Sequence, residues 1–265
     1  MSEKVRILVA NPAGNKTILV LDEFGQNRYK DIAEKLLAIS EINAEQVGFV
    51  VKPKNEGQGR MEMCGQEFCG NASRSFGLYM GKLLGIKGPG TVTIEVSGAE
   101  NPLAVEMDTL TNHTKISMPL ASEIVAFQVD DEKNLSLVLF DGIVHVVAEG
   151  IAPSLAAFNR IKSIVLKMHD APAIGVMFYD KKRDFLTPVV WVRDVDSTYF
   201  EGSCGSGSVA VASVLAETLN DGCHTFKLEQ PAGSLEIIII KEKGLVKNAF
   251  LQGQVELNPP ITVSI

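Results

Sequence analysis

The sequence predicts two α+β domains of similar fold on one chain. Two short segments repeat one idea: residues 68–77 read Phe-Cys-Gly-Asn-Ala-Ser-Arg-Ser-Phe-Gly, and residues 203–212 read Ser-Cys-Gly-Ser-Gly-Ser-Val-Ala-Val-Ala. The same order of strand-like and helical patterns surrounds each of them. The length of 265 residues, 46% hydrophobic and 22% charged, is ample for a large core and suits one large domain or two smaller ones.

Residues 5–9 form a strand-like run. Residues 11–15, Asn-Pro-Ala-Gly-Asn, are turn chemistry, and residues 17–21 are β-branched and apolar again, which makes a hairpin. In the second half residues 135–139, the turn Asp141-Gly142 and residues 143–147 give the same outline. Helical spacing follows at 29–40 through Ile32, Leu36 and Leu37, and at 153–168 through Leu155, Phe158, Ile161, Ile164 and Val165. Strands are expected at 46–51 and 173–179. Each Cys segment then opens a helix of small and apolar residues. A hairpin follows each: 91–96 with 103–107 across a turn at 97–101, and 225–229 with 235–240 across Pro231-Ala232-Gly233. A strand near 115–118 matches one near 250–255. The order strand–strand–helix–strand–Cys loop–helix–strand–strand–strand thus occurs twice. It sets a first domain at 1–120 and a second at 121–265, each carrying one Cys motif, with the active site expected in the cleft between them.

The net charge is −7 and the isoelectric point about 5.2. Basic residues cluster only at Lys52-Pro53-Lys54 and Lys181-Lys182-Arg183, short groups of the kind that sit in solvated turns, so nucleic acid is not an expected partner. The N-terminal residues lack the apolar stretch of a signal peptide, and no run approaches the roughly 18 apolar residues of a membrane span. The expectation is a cytoplasmic protein, monomer or homodimer, away from the membrane. The four cysteines, Cys64, Cys69, Cys204 and Cys223, include no paired CxxC, so neither a disulfide framework nor a metal site is expected.

Cys69 and Cys204 carry the chemistry. Each would sit at or just before a helix N-terminus, where unpaired backbone N–H groups and the helix dipole favour negative charge. A thiol there is pushed toward thiolate, and the same N–H groups can hold a carboxylate. Gly70 and Gly205 allow close approach of the backbone to a ligand, and Gly70-Asn71 and Gly205-Ser206 supply the donors. One sulfur on each face of a small carboxylate-bearing substrate is the layout for taking a proton from one side of a carbon and returning it on the other. Removing the α-proton of an amino acid makes a carbanion beside a carboxylate, so fixed donors in a dry site are needed. One sulfur must begin as thiolate and the other as thiol.

Asn15 in the first hairpin turn, Gln46 at a strand start and Glu201 just before Cys204 are further candidates for binding substrate. Glu201 would accept from an ammonium group. For Asn15 and Glu201 the plainer readings are a turn asparagine and an exposed loop carboxylate. His145 lies in an apolar run, where a lone histidine is usually structural. Arg74, in the first Cys helix, is placed to pair with a carboxylate rather than with substrate. Cys64 lacks this context, and Cys223 reads as a packing residue near a strand start.

These motifs resemble the diaminopimelate epimerase superfamily, whose members carry Cys-Gly-Asn-Gly in one half and Ala-Cys-Gly-Ser/Thr-Gly in the other. The matching residues are Cys69-Gly70-Asn71-Ala72 and Cys204-Gly205-Ser206-Gly207. Asn15 and Gln46 match the family's Gly-Asn turn and its substrate-facing Gln. The resemblance covers the whole chain and implies two pseudo-symmetric domains, each a mostly antiparallel sheet wrapped around a central helix. The chain departs from diaminopimelate epimerases themselves. Their Gly-Asn-Pro-His is replaced by Gly142-Ile143-Val144-His145, a second distal Asn is absent near 173–175, and of the Glu-Arg pair only Glu201 is evident. The clamp for a second amino-acid head is missing.

Closer similarity is to cofactor-independent histidine racemases of the metallophore-biosynthesis type, through Asn-Pro-x-Gly-Asn-x-Thr-Ile-Leu-Val, Glu-Gln-Val-Gly-Phe, Glu-Phe-Cys-Gly-Asn-Ala, Ser-Cys-Gly-Ser-Gly and Gln-Pro-x-Gly-Ser. It implies racemisation of histidine without pyridoxal phosphate, another cofactor or a metal. The alternatives are diaminopimelate epimerase, a racemase or epimerase of another amino acid, and a non-enzymatic amino-acid binding protein. Binding alone has no need of two sulfurs, which argues against the last.

Overall fold

The computed structural model describes residues 3–128 and 134–265. They form a mixed α/β fold in which many strands are served by four α-helices among the described residues. The chain divides into two compact units, Met1–Ser117 with Gln252–Ile265, and Met118–Leu251.

In the first unit β1 (Lys4–Asn11) and β2 (Thr17–Val20) form the expected hairpin. Its turn places Ala13 and Gly14 at φ 59° and 90°, and Asn11 Oδ1 accepts from the Gly14 N–H at 2.8 Å. Helix α1 (Tyr29–Leu37) returns the chain so that β3 (Gln46–Val51) runs parallel to β2, with Thr17 opposite Gln46. Strand β4 (Gly59–Met63) is antiparallel to β3. Helix α2 (Gly70–Leu83) then carries the chain to β5 (Pro89–Val96), parallel to β4. Strands β6 (Leu103–Asp108) and β7 (His113–Met118) add on antiparallel.

The apolar face of α1, Tyr29, Ile32, Ala33 and Leu36, follows helical spacing and packs on Ile7, Ile18, Val47 and Phe49 of the strands. Tyr29 and Phe49 stack with ring centroids 3.8 Å apart. Burying each large side chain contributes about 1.5–3 kcal/mol. Helix α2 is buried from Gly70 through Leu78, as a helix at the centre of a core must be. It approaches β6 closely because a Cβ on Gly77 would lie 2.6 Å from Val105, and one on Gly81 would meet Met107.

In the second unit β8 (Glu123–Gln128) and β9 (Asn134–Phe140) pair antiparallel, and Gly142 at φ 79° turns the chain into β10 (Ile143–Glu149). Helix α3 (Leu155–Met168) is capped by Ser154, whose Oγ accepts from the Ala157 N–H at 3.1 Å. Strand β11 (Ala173–Asp180) lies parallel to β10, and β12 (Phe185–Val192) antiparallel to β11. After β13 (Ser197–Phe200), helix α4 (Gly205–Ala216) leads to β14 (Gly222–Gln230), which meets β12 in parallel at Phe185 and Glu229. Strands β15 (Gly233–Glu242) and β16 (Leu245–Gln254) follow.

Three differences from the sequence reading stand out. The last residues, expected to close the second domain, belong to the first unit: β17 (Glu256–Leu257) and β18 (Ile261–Ser264) pair with β1, which has an edge to cover. Strands β8, β12 and β13 escape the sequence pattern; β12 carries Pro188 in its middle, opposite Met177. Strand β4 escapes it because a buried carboxylate, Glu62, interrupts its apolar residues.

Glu62 accepts from Arg60 Nη2 at 2.9 Å, Gln26 Nε2 at 2.7 Å and Tyr29 OH at 3.2 Å. Glu95 on β5 accepts from the backbone N–H groups of Lys54, Asn55 and Gly57 at 2.8, 2.8 and 3.1 Å, and Arg60 Nη1 lies 3.4 Å away. Together they pin the loop between β3 and β4. Burial pushes both carboxyls up, but the combined hydrogen bonds outweigh it and hold them below the ordinary carboxylate range. The unfolded chain therefore binds these protons more readily. The stability they give is present at neutral pH and is lost as pH falls below 4.5 toward their lowered folded values. Replacing Glu95 with Ala strands the loop N–H groups. It should lower the unfolding free energy at pH 7 by about 2–3 kcal/mol in a urea titration, with the gap narrowing only as the pH falls below 4.5.

Candidate active site

Cys69 and Cys204 are the N-cap residues of α2 and α4. Their backbones match, at φ −128°, ψ 112° and φ −127°, ψ 114°. Each sulfur takes the place of a capping oxygen. Cys69 Sγ accepts from the Ala72 N–H at 3.5 Å and Cys204 Sγ from the Gly207 N–H at 3.4 Å. The first helical bonds are Ser73 N–H to Cys69 O at 2.9 Å and Ser208 N–H to Cys204 O at 3.0 Å. The N–H groups of Gly70, Asn71, Gly205 and Ser206 precede them, so the helices offer them no acceptor. A carboxylate brought to either helix start meets these donors and the positive end of the dipole.

Cys69 is half-buried and belongs to a network of amides. Gln46 Nε2 lies 3.3 Å from its sulfur, and also donates to Asn15 Oδ1 and Thr17 Oγ1, each at 2.8 Å. Asn71 Nδ2 reaches the same Asn15 oxygen at 3.4 Å, and Asn15 Nδ2 donates to Glu45 Oε2 at 2.7 Å. The strand register makes this possible, because the parallel pairing of β2 and β3 sets Thr17 beside Gln46. Asn15 is buried and is no plain turn residue. Asn15, Gln46, Cys69, Gly70 and Asn71 are therefore brought together in the first unit.

Cys204 is buried. Its N–H donates to Gln230 Oε1 at 2.8 Å, Gln230 Nε2 donates to Ser208 Oγ at 3.0 Å, and Ser208 Oγ donates to Cys204 O at 2.6 Å. That ring of bonds holds the N-cap. Ser206 Oγ lies 3.7 Å from the sulfur and 2.9 Å from His145 Nε2. At the other end of α4, Lys241 Nζ donates to the carbonyls of Ala216, Glu217 and Leu219 at 2.9, 2.9 and 2.8 Å, a buried cation where the dipole favours one. Glu201, Cys204, Gly205 and Ser206 share the second unit. The Glu201 carboxylate acts on the Cys204 thiol itself, both by charge and by a hydrogen bond.

The expectation that each helix start favours thiolate needs correction at Cys204. Burial pushes this thiol well above the ordinary value, and the Glu201 carboxylate adds to it; the donors from Gly207 and Ser206 offset this only in part. Arg74 also differs from its reading: its hydrogen-bond partners are Asn71, Thr114 and backbone carbonyls rather than a carboxylate. Cys223, read as a packing residue, is exposed on β14. Thr17, Glu45, His145, Ser208 and Gln230 were not among the sequence-derived site residues. Gln230 opens the Gln-Pro-x-Gly-Ser phrase, the one signal that marked it. Among the described residues no three His, Cys, Asp or Glu side chains gather as metal ligands do.

His145 is fully buried, opposite Gly175 in the parallel register of β10 and β11. A Cβ at Gly175 would collide with its Nδ1. Burial pushes the imidazole down to about 4, with the Gly175 backbone opposing this weakly. The folded chain thus holds it neutral where the unfolded chain, near the ordinary 6.5, takes up a proton. Its share of stability is whole above pH 6.5 and is lost as pH falls toward 4. The His145→Gln variant should show a flatter loss of melting temperature over that window. In the wild type, the His145 ring signals should hold their neutral-form shifts from pH 8 down to pH 5.5 in NMR spectra.

The family model described as the histidine racemase CntK N-terminal domain matches residues 4–259. The histidine racemase of Fusobacterium nucleatum subsp. nucleatum is 33% identical over 270 residues, covering 97% of each chain. That of Staphylococcus aureus is 27% identical over 254 residues, covering 92% of each. Among solved structures, a hydroxyproline epimerase from Agrobacterium vitis aligns with a TM-score of 0.67 at 10% identity, over 99% of this chain and 92% of its own. A predicted epimerase from Pseudomonas aeruginosa aligns with a TM-score of 0.64 at 12% identity, over 98% of this chain and 99% of its own. At such identities these two speak for the fold alone. The family match spans nearly the whole chain and includes both cysteine caps: the chain belongs to the histidine racemase family, and it is an amino-acid racemase.

Proposed function

We propose that the protein interconverts L- and D-histidine by a two-thiol proton transfer at the α-carbon, without pyridoxal phosphate or metal. The observation that carries this reading is the pair of cysteine N-caps on a chain of the histidine racemase family. In each turnover one sulfur, as thiolate, takes the α-proton from one face. The other, as thiol, gives its proton to the opposite face, and the roles swap with the substrate enantiomer. The N–H groups of Gly70, Asn71, Gly205 and Ser206 would hold the substrate carboxylate while charge builds on the adjacent carbon. Asn15, Gln46 and Glu201 would orient the ammonium and carboxylate groups. The reading requires the two pseudo-symmetric domains to bring their half-sites to one substrate in the cleft between them. It also carries the expectation of a cytoplasmic enzyme supplying D-histidine for metallophore synthesis.

Cys69→Ser and Cys204→Ser should each reduce turnover of histidine by about 10³-fold or more, because a hydroxyl is a far poorer base at neutral pH. Near wild-type turnover in either variant would end the two-thiol mechanism. EDTA-treated protein incubated with single amino acids in heavy water should deuterate histidine at the α-carbon, as read by NMR. Turnover of diaminopimelate with none of histidine would overturn the substrate and leave the proton-transfer reading standing.

A further inference from the structure

The amides around Cys69 form a network with one direction, set by an ion at each end. Arg74 can only donate, and its Nε donates to Asn71 Oδ1 at 3.2 Å. Asn71 must then turn its NH2 away, toward Asn15 Oδ1 at 3.4 Å. At the other end Glu45 can only accept, and it takes a hydrogen bond from Asn15 Nδ2 at 2.7 Å. That turns the Asn15 oxygen inward, where it also receives Gln46 Nε2 at 2.8 Å. The second hydrogen of the Gln46 NH2 group is shared between Thr17 Oγ1 at 2.8 Å and Cys69 Sγ at 3.3 Å. Flipping any one amide would set two donors or two acceptors face to face.

Arg74 itself calls for an account. It is fully buried; Nη1 is satisfied by Thr114 Oγ1 and the carbonyls of Gly253 and Gln254, while Nη2 has no hydrogen-bond partner among the described residues. None of the side chains bonded to it is a carboxylate. A buried guanidinium without a paired anion is costly unless a negative group develops nearby. The cysteine five residues before it on the same helix start is such a group, and a charged Cys69 stabilises the guanidinium. At Cys204 the setting is the opposite, with the Glu201 carboxylate beside a buried sulfur.

We propose that Arg74 and Glu45 are positioning residues that lock the Asn71–Asn15–Gln46 network in one direction, so that it ends as an N–H donor on Cys69 and holds that sulfur as the thiolate of the free enzyme. Cys204 is then the resting thiol. The proposal rests on the two-thiol reading and adds which sulfur begins as base.

The test is the pH dependence of iodoacetamide alkylation in the free protein, followed for each cysteine by peptide mass spectrometry, with a thermal melt of every variant. Arg74→Met should slow Cys69 alkylation at pH 7 about tenfold and move its profile to higher pH. Arg74→Lys, which still only donates, should keep most of the wild-type rate. Glu45 is exposed, so Glu45→Gln keeps the fold; it frees Asn15 to flip and should slow Cys69 about threefold. The exposed Cys223 should not change in any variant, and the pH profile of kcat/KM should move in parallel with Cys69. An unchanged Cys69 profile in Glu45→Gln overturns the lock, whatever Arg74→Met does, and so does an unchanged profile in a folded Arg74→Met. If the wild type fails to racemise histidine while both variants shift Cys69, the network stands and the substrate reading falls.

Discussion

Both cysteine caps depend on what a buried helix start requires. Helices α2 and α4 pack through most of their length against their sheets, and their first N–H groups have no acceptor within the helix and need partners. In most helices a serine, threonine or aspartate oxygen closes that gap at a short distance. Here sulfur does so at 3.5 and 3.4 Å, a long and weak cap. The backbone at each start is left with capacity for an anion, and the capping atom is itself able to become one. In the proposed reaction, chemistry and capping fall to the same atom.

The two starts are nevertheless not equivalent. The first is lined with amides whose directions are set by Arg74 and Glu45, and its sulfur is half-buried. The second is enclosed more deeply, tied by Gln230 and Ser208, and shadowed by a carboxylate. A repeated motif has thus been given two electrostatic settings, which suits the proposed reaction with its need for one acid and one base at the same moment.

Much of this was legible in the chain because periodicity and turn chemistry are local. The hairpin at Asn11 to Gly14, helix α1 with its Ile32 and Leu36, and both cysteine caps follow from neighbouring residues alone. Asn15 and Gln46 were legible as candidates from their turn and strand-start positions and from the family resemblance, but their contact was not, since it depends on β2 and β3 lying in register. Glu45 and Arg74 carried no signal of that kind. One is an exposed carboxylate and the other a helix arginine until the fold places an asparagine against each. Strand β4 was hidden for the converse reason: Glu62 looks like a solvent residue, and its burial is made tolerable by Arg60 on its own strand together with Gln26 and Tyr29 from a distant stretch of the chain.

The closure of the first unit by the last strands has a consequence for how the chain is made. Lys4 pairs with Ser264 and Ile7 with Ile261, so β1 waits for a partner that is made only after residues 118–251. Residues 118–251, which hold a compact unit of their own, are complete before then. The unit begun before the other is completed after it. Until β17 and β18 arrive, one edge of β1 stays open to other chains.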